Sequence, residues 1–122
     1  MRWMMVVAGI AGLAFCSDVA MAHEGDEGPS QTVTGEVVDL ACYLNEGASG
    51  PGHRECAQKC ISSGLPVGIK SGDTVYLAIS GEHGPANTAL APLAAKQVVA
   101  EGAVSERNGI HLIAIKKVTV KE

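Results

Sequence analysis

The chain reads as a mainly β protein with one small five-stranded barrel. Five segments alternate apolar and polar residues with the two-residue period of half-buried strands: 32–40, 67–70, 74–80, 97–107 and 110–121. Clusters of glycine, proline, serine and asparagine separate them. Only two stretches carry helical signals, and both fall between strands.

Residues 1–22 have the make-up of an export signal. Arg2 supplies the positive charge, Met4 to Phe15 an apolar run, and Ala20-Met21-Ala22 a small-residue cleavage site before His23. The apolar run is too short to stay in a bilayer as a spanning helix. Cys16 is a poor lipid acceptor because bulky Phe15 precedes it. The expectation is a periplasmic or secreted protein, cut between Ala22 and His23, with no stable membrane span. Removing 22 of 122 residues leaves 100, enough for one small domain. Residues 23–31, beginning His23-Glu24-Gly25-Asp26-Glu27, read as a flexible acidic leader. The domain then spans 32–122.

The first strand starts at Thr32. Val33, Gly35 and Val37 share one parity, and Val38, Leu40 and Cys42 take the other, so a bulge or sharp bend is expected close after Gly35. Asn45 to Gly52 is a loop by composition. Pro51 suits the first turn of a helix running to about Ser63, which Gly64 and Pro66 stop. Its apolar stripe would be Cys56, Ala57, Cys60 and Ile61. Strands at Val67–Lys70 and Thr74–Ser80 form a hairpin around Ser71-Gly72-Asp73. Thr88 to Lys96 reads as a short alanine-rich helix with Pro92 near its start. The last two strands, Gln97 to Arg107 and Ile110 to Lys121, meet at Asn108-Gly109, a strong signal for a tight hairpin.

Five strands, a bent first strand and a short helix between the third and fourth match a small OB-like barrel, with a helical Cys/His insertion at 42–64 after the first strand. Val33-Thr34-Gly35-Glu36-Val37-Val38-Asp39, Cys42-Tyr43, His53, Cys56-Ala57, Cys60 and Gly64-Leu65-Pro66-Val67-Gly68 resemble a group of small secreted bacterial proteins with such a domain and insertion. The resemblance implies the fold and an exported setting, and no activity.

The chemistry concentrates in Cys42, His53, Cys56 and Cys60, spaced C-x10-H-x2-C-x3-C. On a helix His53, Cys56 and Cys60 share one face, and Cys42 would arrive from the end of the first strand to close the group. Three thiolates and an imidazole suit a soft ion, copper or zinc. His83 and His23 are possible additional ligands, His83 from a loop and His23 through its ring and a new α-amine. The spacing is not a standard zinc-finger pattern. Ile61 after Cys60 rules out c-type haem attachment, and the chain has no Cys-x-x-Cys pair.

A second reading stays open. After cleavage three cysteines remain, an odd number in a compartment where disulfides persist. Cys42 could pair with Cys56 or Cys60, stapling a periplasmic interaction domain without metal, the third thiol free and open to redox exchange. The partner would then be another periplasmic protein. Nucleic acid is not an expected partner: the formal charge is −4, and past the signal only Tyr43 and Tyr76 could stack on bases. No nucleophile triad, phosphate loop or paired carboxylates stand out, so the chain reads as a binding module rather than an enzyme.

Overall fold

The computed structural model describes residues 28–122. The export signal at 1–22, the Ala22/His23 junction, His23 and the first half of the leader lie outside the described residues.

The elements are β1 (Ser30–Asp39), α1 (Leu40–Glu46), α2 (Arg54–Ser62), β2 (Val67–Ser71), β3 (Thr74–Ser80), α3 (Asn87–Leu90), β4 (Gln97–Arg107) and β5 (Ile110–Val120), with 3-10 turns at Pro51–His53 and Ala91–Leu93. The strands close a barrel in the order β1-β2-β3-β5-β4. All pairings are antiparallel except β3 with β5. This is the OB-like barrel, with its helical insertion after β1 and a short helix between β3 and β4.

The long first strand works on two neighbours. Ser30 to Glu36 pair with β4, and Glu36 to Asp39 pair with β2. The change of partner at Glu36 falls where the sequence leads one to expect a bulge or bend, close after Gly35. Any side chain at Gly35 would collide with the backbone carbonyl of Lys70, so this close approach requires glycine. The strand starts at Ser30, two residues earlier than its alternation indicates. The register shift in the barrel lies in β4, between Glu101 and Gly102.

The hairpins follow local turn chemistry. Asn108 and Gly109 both have positive φ, as a two-residue turn between Arg107 and Ile110 demands. The segment expected as one helix over Thr88–Lys96 is instead the four-residue α3 followed by a 3-10 turn. Pro92 lacks an N–H and its ring crowds the preceding turn, so the α-helix cannot run through it. Leu90, Ala91 and Ala94 from this segment join Val37, Ile69, Val98, Ala100 and Ile113 in the core.

α2 packs on the same core through Ala57 and Ile61, one turn apart. Its end is a Schellman turn: Gly64 N–H donates to Ile61 O and Leu65 N–H to Cys60 O, with Gly64 left-handed at φ 100°. Asn87 Nδ2 also donates to Ile61 O at 2.8 Å and to Leu65 O at 2.7 Å, tying α2 to the start of α3. Among the described residues no helix is long and apolar enough to cross a membrane.

Candidate metal centre

Cys42 does not end a strand. The chain leaves β1 at Asp39 and turns at once into α1, with Cys42 in its first turn. Asp39 is the cause. Its carboxylate accepts from Ala41 N at 3.0 Å and Cys42 N at 3.3 Å, covering two of the donors a helix start leaves open. Gly47, left-handed at φ 69°, closes the helix by donating to Tyr43 O. Leu40 is the buried residue of α1, and its N–H donates to Pro66 O.

The loop back to α2 is held from the barrel. Both Glu36 carboxylate oxygens accept the Gly50 N–H, at 3.1 and 3.0 Å. Gly50 O in turn accepts the His53 N–H at 3.0 Å. His53 is the N-cap residue of α2, but its side chain makes no capping bond. Cys56 and Cys60 stand beside the Ala57/Ile61 stripe and not in it: Cys56 is exposed and Cys60 half-buried, while Ala57 and Ile61 are buried.

These elements bring the four sequence-derived candidates to one region as two overlapping groups. Donor atoms of Cys42, His53 and Cys56 lie within 4.8 Å of one another, and so do those of Asp39, Cys42 and Cys60. Cys42 belongs to both. Asp39 is the addition: an acid at the end of a strand reads as a surface residue, whereas here it is fully buried. The available signal was its position as an N-cap, three residues before Cys42.

Two observations show what this arrangement can hold. His53 Nε2 is buried and has no hydrogen-bond partner. A buried ring nitrogen with no acceptor or donor beside it is costly unless a ligand completes it. All three cysteines of the described residues are free thiols. Thiol, imidazole and carboxylate together are a fitting donor set for a metal ion. The groups are therefore compatible with a metal.

Two of the thiols, Cys42 and Cys60, are favoured in their protonated form when no ion is present. The Cys42 thiol donates to Asp39, and that hydrogen bond, burial and the negative charge of Asp39 push Cys42 up to about 12. Burial, then the charges of Asp39 and Cys56, raise Cys60 as well. A metal must displace these protons, so loading releases acid.

His83 is not brought to either group. It sits exposed in the loop between β3 and α3 at φ 59°, its N–H donating to Ser80 O. His111 in β5 packs edge-on against Tyr76, ring centroids 5.6 Å apart. Comparison of the chain with protein-family models, curated proteins and solved structures gave no match.

Proposed function

We propose that the protein is an exported module that binds a soft metal ion, copper or zinc, through Cys42, His53, Cys56 and Cys60. The observation that carries this reading is the buried, unpartnered His53 Nε2 in a side chain grouped with two free thiols. A packing or stapling role for the cysteines gives no reason to bury that nitrogen unsatisfied. The export-signal pattern of residues 1–22 and the resemblance to small secreted proteins support the exported setting. The half-exposed donors suit an ion that is taken up and passed on, because a partner's ligand can reach Cys56.

The test is mass spectrometry of the chain recovered from a bacterial periplasm, first native and then denatured with thiol alkylation. The expected result is a product lacking residues 1–22, carrying copper or zinc, with three alkylated cysteines. Substitution His53→Ala should weaken the metal. A metal-free product two hydrogens light, with one alkylated cysteine, overturns the reading in favour of a disulfide-stapled interaction domain.

A further inference from the structure

We propose that the cluster is a dinuclear zinc site in which the Cys42 sulfur bridges two ions. An outer ion takes Cys42, His53 and Cys56, and an inner ion takes Asp39, Cys42 and Cys60. The inference rests on the metal-binding reading above and deepens it by fixing the metal, the number of ions and a fifth ligand.

The geometry is that of two positions. Each group has its three donors within 4.8 Å of one another, and the two share Cys42 alone. A single tetrahedral ion would leave at least one of these five donors idle. A thiolate sulfur has lone pairs for two metals, so the shared member is the one able to bridge.

Charge gives the same count. Loaded, the cluster holds three thiolates and the Asp39 carboxylate, four negative charges, and Asp39 is fully buried. Two Zn2+ ions neutralise all four, whereas a single ion displaces the protons of only the thiols it binds and leaves the remaining thiol protonated and unused. The inner donor set also separates the metals. A carboxylate oxygen is a hard ligand that Cu(I) disfavours, while zinc accepts oxygen, nitrogen and sulfur.

A carboxylate oxygen of Asp39 lies within 4.8 Å of the Cys42 sulfur, which carries a proton until a metal displaces it. An inner zinc takes the place of that proton, which leaves to water, and the cap bonds from Ala41 N and Cys42 N keep the carboxylate aimed. Each ion then has three protein donors and a fourth position for water or for a partner's ligand. The outer position, with exposed Cys56, is the exchangeable one.

The test is an anaerobic titration of the reduced, exported protein with Zn(II) against a chromophoric chelator, with native mass spectrometry of the end point. The parent should bind two zinc ions per chain. His53→Ala and Cys60→Ser should each bind one, and Cys42→Ser should lose both at the same free zinc concentration. Far-UV circular dichroism matching the parent shows that each variant is folded. A parent plateau at one zinc overturns the dinuclear site and leaves the single-metal function standing. Absence of both zinc and copper from the parent removes the function as well.

Discussion

Substitution at Asp39 separates the two things its carboxylate does. In the metal-free protein Asp39→Ala removes the acceptor of Ala41 N at 3.0 Å and Cys42 N at 3.3 Å. Loss of an N-cap costs about 1 kcal/mol, and partly buried N–H groups left without an acceptor add on the order of 1 kcal/mol. A total near 2 kcal/mol lowers the melting temperature of a domain this size by on the order of 10 °C. The same change also lowers the Cys42 pKa from its position near 12, because the hydrogen bond and the charge that raise it both come from Asp39. Asp39→Asn distinguishes the effects: an amide oxygen still caps α1, but the negative charge is gone. Thermal unfolding followed by far-UV circular dichroism, with peptide mapping of alkylated thiols at pH 8, reads both. The expected pattern is a large loss of stability for Asp39→Ala, a small one for Asp39→Asn, and faster Cys42 alkylation in both. Cys42 in Asp39→Asn reacting no faster than in the parent would refute the electrostatic half. Asp39→Ala unfolding within about 0.5 kcal/mol of the parent would refute the capping half.

Ile61→Ala, at a fully buried contact of α2 with the barrel, should destabilise by about 2–5 kcal/mol, read as a lower urea midpoint with unchanged slope. In the metal-free protein the raised Cys42 and Cys60 hold protons in the folded state that the unfolded chain releases above the ordinary 9.0. Stability should therefore fall as pH rises from about 9 towards 12, and urea midpoints that rise over this window would contradict the assignment. Zinc at a hundred times its dissociation constant should raise stability by about 2.7 kcal/mol, and a chelator should reverse the gain. Glu36→Ala, which releases Gly50 and the loop ahead of His53, should weaken zinc by about tenfold while Cys60→Ser retains its outer ion.

The barrel was legible because its signals are local. The Asn108-Gly109 turn fixes β4 and β5 to within one residue of the bounds read from alternation, and β1 changes partner at Glu36, next to its single glycine and close to where the parity switches. The site was legible in its residue types but not in its arrangement. Val38, Leu40 and Cys42 alternate as a strand does, and that pattern hid α1, although the cap at Asp39 and the stop at Gly47 flank it. Cys56 and Cys60 looked like part of a buried stripe because cysteine is commonly buried. In the structure Ala57 and Ile61 alone fill that role, and the thiols are left beside it. The division into two donor groups depends on where the fold sets Asp39 and Cys42 relative to His53, Cys56 and Cys60, a tertiary relation that spacing along the chain does not encode.

That relation also says what a metal would do to the fold. α2 is secured independently, by Ala57 and Ile61 in the core and by Asn87 at its end. α1 is held by less: the buried Leu40, the Asp39 cap and the Leu40 N–H to Pro66 O. Every metal arrangement the donors allow includes Cys42 from α1 together with a cysteine of α2, so an ion joins the loosely held helix to the firmly held one. Binding energy then goes in part into docking α1, and protection of its amides from hydrogen exchange should rise on loading far more than that of β4 or β5. Equal gains across the whole barrel would instead mark a metal that only shifts global unfolding, with α1 already fixed without it.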